Sequence, residues 1–145
     1  MFESGGEMGS LMRSIDWSKT ALGPVSGWSQ ALKTMVGVVL RSPFPMSLAW
    51  GPQLVQLYND AHRPIMCARH PEVLGQPTRE SWAEVWHLVE PNYAGPLAGQ
   101  PAMWSDDQPL LIDRKGFLEE THFKVAYSPV NEQRLVIAPH GELPR

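Results

Sequence analysis

Phe44-Pro45-Met46-Ser47-Leu48-Ala49-Trp50-Gly51-Pro52-Gln53-Leu54-Val55-Gln56-Leu57-Tyr58-Asn59-Asp60 is the stretch that decides the fold. Phe44, Met46, Leu48 and Trp50 alternate with Pro45, Ser47 and Ala49, the period of a strand that turns one face to a core. Gly51-Pro52 breaks the run, and a second apolar segment, Leu54–Tyr58, follows at once. Two strands joined so closely pair antiparallel, as a hairpin. Asn59-Asp60 then supplies an N-cap for a short helix over Ala61–Cys67, interrupted by Pro64.

Upstream of the hairpin, Leu32, Met35, Val36, Val39 and Leu40 recur at spacings of three and four, the stripe of an amphipathic helix that stops before Ser42-Pro43. Residues 1–10 hold Gly5, Gly6 and Gly9 without an apolar period and read as a mobile lead-in. Leu11–Ile15 makes one helical turn, and Asp16–Gly27, with Trp17 and Leu22, reads as a loop laid on the body of the domain. Downstream, His70–Trp86 alternates helical patches with Pro71, Gly75 and Pro77, and Pro91–Leu97 adds another turn of helix. Strand patterns return at Leu110–Arg114, at His122–Tyr127 after a tight turn at Lys115-Gly116, and at Leu135–Ala138. Two strands, a helical crossover and three more strands suit an α+β domain, one antiparallel sheet with helices on one face.

Bulk properties narrow the function classes. The chain has 145 residues, 43% of them hydrophobic, which suits one domain with a real core. A net charge of −3 and a pI near 5.9 give no basic field for nucleic acid or an anionic membrane surface. The longest apolar run, Met35–Leu40, is far short of the ~20 residues of a membrane span, and residues 1–9 lack the pattern of a signal peptide. A single cysteine, Cys67, excludes an intrachain disulfide and multi-cysteine metal sites. The expectation is a cytoplasmic protein.

A string of spaced motifs carries a resemblance. Trp17-Ser18, Leu22-Gly23-Pro24 and Trp28 are followed by Phe44-Pro45-Met46, Trp50-Gly51-Pro52 and Tyr58-Asn59-Asp60-Ala61. After them come His70-Pro71, Leu74-Gly75, Trp82-Ala83-Glu84-Val85-Trp86 and Arg114-Lys115-Gly116-Phe117-Leu118-Glu119-Glu120. From about Glu7 to Val130 the chain resembles the PAS-type sensor domain at the front of multidomain bacterial sensor histidine kinases. The resemblance implies a PAS-like five-stranded antiparallel sheet cupping short helices on one face, with a sensory role in two-component signal transduction and no catalysis in the domain itself. The chain departs from the pattern at its end, where Asn131–Arg134 is compressed and Leu135–Pro139 is short. The expected organisation is a flexible lead-in over 1–10, an N-terminal helical extension over 11–42, a PAS core over 43–139 and a tail over 140–145.

The candidate chemistry is sparse. His62, His70, His87, His122 and His140 include no i, i+4 pair of a helical zinc motif, so no metal site is expected. Haem would need a histidine facing the core, for which His87 beside Trp86 is the best placed; an exposed helix position is the ordinary reading of it. A flavin–thiol photosensor would need a cysteine in a polar Asn-Cys-Arg setting, whereas Cys67 lies in Ile65-Met66-Cys67-Ala68-Arg69. Neither haem nor flavin is expected. Asp106-Asp107 and Glu119-Glu120 are adjacent pairs, which in a strand point to opposite faces and cannot flank a substrate.

Aromatic residues are the more informative set. Trp50, Tyr58, Trp82, Trp86 and Trp104 fall on the hairpin and the crossover, where they fill a core or wall an apolar pocket with a few polar groups. The ligand-contact candidates are Met46, Tyr58, Met66, Trp82, Trp86 and His122, with Asn59 read as a helix cap. Two functions fit: a module that binds a small molecule and relays it to a histidine kinase or other output domain, or a ligand-free interaction and dimerisation module. Homodimerisation is expected along the Trp28–Arg41 helix, whose stripe is apolar.

Overall fold

The computed structural model describes residues 6–66, 70–98, 101–113, 118–131 and 134–142. Helix α1 (Gly6–Ser14) and two single 3-10 turns lead into α2 (Gln30–Arg41) and the hairpin of β1 (Ser47–Trp50) and β2 (Val55–Tyr58). The crossover holds α3 (Arg63–Met66), α4 (Thr78–Ser81) and α5 (Trp86–Leu97), after which β3 (Met103–Asp113), β4 (Leu118–Asn131) and β5 (Arg134–Glu142) complete one antiparallel sheet. Its strand order is β2-β1-β5-β4-β3.

Register sorts the side chains between two faces. Leu48 lies opposite Leu57 and Val136, and Trp50 opposite Val55, so these share one face. Ser47 lies opposite Tyr58 and Ile137, and Ala49 opposite Gln56; Tyr127, opposite Ile137, and Val125 continue this second face. The first face carries a core in which Leu48, Trp50 and Leu57 pack with Met8, Met12, Trp17, Trp28, Leu32, Val36 and Val39, and the same cluster takes in Tyr58, Met66, Val73 and Leu74 of the β2 edge and the crossover. On the second face Ala49, Val125, Tyr127 and Ile137 pack with Ile65, Val85, Val89 and Tyr93 of the crossover.

The five strands form one antiparallel sheet, but the PAS-like arrangement expected for it, with short helices on one face and a separate N-terminal extension, is overturned. Every residue of β1 and β2 is buried, which requires cover on both faces, and helices supply it on both. Nor are the helices uniformly short, since α2 and α5 run to 12 residues each. The N-terminal segment is half of the core rather than an extension. The lead-in expected over 1–10 is helical from Gly6, and Met8 and Met12 are fully buried.

The physical reason lies in long-range contacts. Helix α1 has nine residues, too few to be stable alone. Its first turn is held by the Asp60 carboxylate, which accepts from Met8 N–H at 2.8 Å and Glu7 N–H at 3.2 Å, while Arg63 pairs with Glu7. Gly6, at φ 59°, comes so close to Asp60 that a β-carbon would collide with its carboxylate. By contrast α2 matches its stripe, with Ser29 Oγ accepting from Leu32 N–H at the N-cap.

Strand limits also differ from expectation. Phe44 is 72% exposed and precedes β1, because Ser42 Oγ accepts from Phe44 N–H and turns the chain there. The run expected at Leu110–Arg114 begins at Met103, and the last strand, expected to be short, has nine residues. Pro109 is tolerated because β3 is an edge strand. The opposite edge, β2, is covered by the crossover: Gly75 N–H donates to Gln56 O, Gln56 N–H to Gln76 O and Thr78 N–H to Leu54 O. Cys67 and the turn at Lys115-Gly116 lie outside the described residues.

Candidate functional site

The corner where β2 turns into the crossover is built around Asn59. Its amide Nδ2 donates to Val39 O at 2.9 Å, Phe44 O at 2.8 Å and Ser42 O at 3.4 Å, and its Oδ1 accepts from Met46 N–H and His62 N–H. Asn59 thus caps the turn that leads into α3, which starts at Arg63 and not at Ala61 as expected, and it also fastens the loop before β1. Asp60, expected to share that local cap, instead holds α1.

This corner brings Gln56, Tyr58, His62, Met66 and His70 together. Gln56 and Tyr58 are two residues apart in β2 and share the crossover face. The Tyr58 hydroxyl shares a 2.7 Å hydrogen bond with His70 Nδ1, and its ring lies 5.6 Å from that of His62. Gln56 Nε2 donates to Met66 Sδ at 3.7 Å. Gln56 Oε1 and His62 Nδ1 are buried and have no partner among the described residues.

The electrostatics keep this corner neutral. Burial pushes the His62 imidazole down to about 3, so it carries no charge near pH 7. Burial, and then the charge of Glu72, raises the Tyr58 hydroxyl well above its usual range. His70 is lowered first by burial and then by Arg63, with Glu72 and Asp60 opposing.

Further along the same face, Trp86, Tyr93 and Tyr127 form an aromatic chain with centroid separations of 5.3 and 5.2 Å. Asn92, beside Tyr93 on α5, is buried with Nδ2 unpartnered among the described residues. Burial pushes Tyr127 up to about 12, opposed by a side-chain hydrogen bond with Asn92, and raises Tyr93 further with Tyr127 adding to it. Trp82 is half-buried and packs against both cores, which joins the β2 corner to the aromatic chain.

Of the residues singled out from sequence, Tyr58 and Met66 meet at the corner, Trp82 lies between the two patches and Trp86 belongs to the aromatic chain. Met46 packs on the same core cluster as Tyr58, Met66 and Trp82, and its N–H is held by Asn59. The His122 side chain lies outside the described residues, and His87 is exposed. Gln56, His62 and Asn92 were not singled out. A polar residue between Val55 and Leu57 in an otherwise apolar strand is the one signal that pointed to Gln56.

Among the described residues no group of three or more His, Cys, Asp or Glu side chains could hold a metal ion, and no helix is long and apolar enough to cross a membrane. No protein family matches the chain, and no curated protein matches it. The resemblance to PAS-type sensors thus has no relative standing behind it.

Proposed function

We propose that this chain is a cytoplasmic sensory domain of bacterial signal transduction that binds a small molecule on the crossover face of its sheet. It relays occupancy to an output module such as a histidine kinase, as a homodimer and without catalysing a reaction itself. The observation that supports this reading is the set of buried polar atoms on that face that have no partner among the described residues: Gln56 Oε1, His62 Nδ1 and Asn92 Nδ2. Buried polar groups are rarely left unpaired, and a binding site is one setting in which they are. Flat apolar walls with a few polar groups are the common make-up of a small-molecule site.

A second reading, a ligand-free interaction module, is favoured by the exposed apolar side chains Phe44, Val38 and Leu88, at 72, 48 and 50% exposure. Native mass spectrometry of the purified chain separates the two. Sensing predicts a bound small molecule that is released on activation and can be identified. A bare protein mass from several expression hosts, with Phe44→Ser or Leu88→Ser abolishing self-association, would establish the interaction module instead.

A further inference from the structure

We infer that the ligand of the crossover face is an uncharged, planar molecule with an amide-like edge, an N–H donor beside an acceptor, read by Gln56 and His62. This rests on the sensing reading above and adds the chemistry of what is sensed. Gln56 and His62 are only 3 and 4% exposed and lie six residues apart, where β2 gives way to α3. With Nε2 committed to Met66 Sδ, the Gln56 carboxamide presents its carbonyl oxygen, which calls for a donor. His62 Nδ1 offers the second point of attachment.

Charge selects against ions. The buried polar residues described are Ser, Thr, Asn, Gln and His only, with no carboxylate, lysine or arginine among them. Arg63, Asp60 and Glu72 act on His70 and Glu72 on Tyr58, at the rim of the corner, whereas burial alone acts on His62, so a charged ligand seated at Gln56 and His62 would lose its hydration without a buried counter-charge beside it. Shape selects for a flat molecule, since the Tyr58 ring lies beside His62 and the half-buried Trp82 packs on the core to which Tyr58 belongs. A carboxamide and an imidazole beside such rings match the donor and acceptor of a lactam or nucleobase-like edge.

The test uses 2-pyridone, N-methyl-2-pyridone and picolinate as probes on the full chain, followed by the His62 ring nitrogen resonances and by melting temperature. The expected result is binding of 2-pyridone with a shift at His62, binding about tenfold weaker for the N-methyl compound, which lacks the N–H, and none for anionic picolinate. Gln56→Leu abolishes that discrimination while the melting temperature of the free protein stays level or rises, because an unsatisfied carbonyl has been replaced by an apolar group of similar size.

Equal binding of the two pyridones overturns the inference. So does a Gln56→Leu protein that melts lower and shows no probe-induced shift at His62, which would mean that a buried water alone satisfies the corner. If native mass spectrometry releases a charged or wholly apolar ligand, the sensing reading survives and this inference falls. A bare mass together with silent probes ends both.

Discussion

On the N-terminal face of the sheet the buried indoles have found partners: Trp17 Nε1 donates to Met12 O at 2.9 Å, and Trp28 Nε1 to Gly23 O at 3.0 Å, with the two rings edge to face. On the crossover face Gln56, His62 and Asn92 each keep a buried polar atom unpartnered among the described residues. Backbone differs as well. The N-terminal face is covered by α2, regular and capped, whereas the crossover uses two helices of four residues and an α5 that contains Pro91 and Pro96. A face with satisfied groups and a regular, capped helix resists rearrangement; one with unmet hydrogen bonds, two four-residue helices and a proline-containing α5 has less to lose by moving.

The sharpest way to break this comparison is to disrupt the crossover core outright. Val125→Asp buries an unpaired carboxylate among Tyr127, Ile137 and α5, at a cost of several kcal/mol against a total stability of about 5–15. No cooperative melting transition is expected. Asn59→Leu comes next, since it strips partners from backbone groups that serve both faces, and about 3–6 kcal/mol should be lost in urea titration.

His62 sharpens the contrast through pH. Its folded pKa lies near 3, below the ordinary 6.5, so the unfolded chain binds the extra proton first. The stability it permits is complete above about pH 6.5 and is lost as pH falls toward 3, by up to ~1.4 kcal/mol per pH unit. Denaturant midpoints between pH 7 and 5 should fall for the parent and fall less for His62→Gln.

Smaller effects follow. Trp86→Ala removes a half-buried ring from the aromatic chain and should lower stability by about 2 kcal/mol, less than a fully buried tryptophan, with a larger loss in binding of any copurified compound. Gly6→Ala should cost about 1 kcal/mol, by strain at φ 59° and by displacing Asp60. Proton exchange should then quicken in α1 and leave α5 untouched; a change in α5 would mean that the two faces are coupled more tightly than their separate cores suggest.

How much of this was legible follows from the range of each interaction. Helix α2 is written in its own stripe, and the hairpin in its turn and two apolar runs, because both depend on neighbours in sequence. Layering is not, because a period-two pattern assumes that the polar alternates face water, and here Ser47, Ala49 and Gln56 are buried under the crossover. Helix α1 carries no stripe that points to the contacts Met8 and Met12 make, and its cap lies more than 50 residues away. At the candidate site the large residues Tyr58, Met66, Trp82 and Trp86 could be anticipated by size. His62 could not, since nothing local distinguishes a solvated histidine from a buried one, and for Gln56 the one local signal, its place between Val55 and Leu57, does not tell whether its own face is covered.

That distant cap also bears on how the chain is made. Helix α1 is nine residues long and its first turn closes on Asp60, so during synthesis it has no stable form until Asp60 has left the ribosome and the β1–β2 hairpin stands ready to hold it. Residues 6–14 would then find their place only after segments translated later than they are, and until they do the apolar residues of α2 and the hairpin that α1 covers stay open to chaperones.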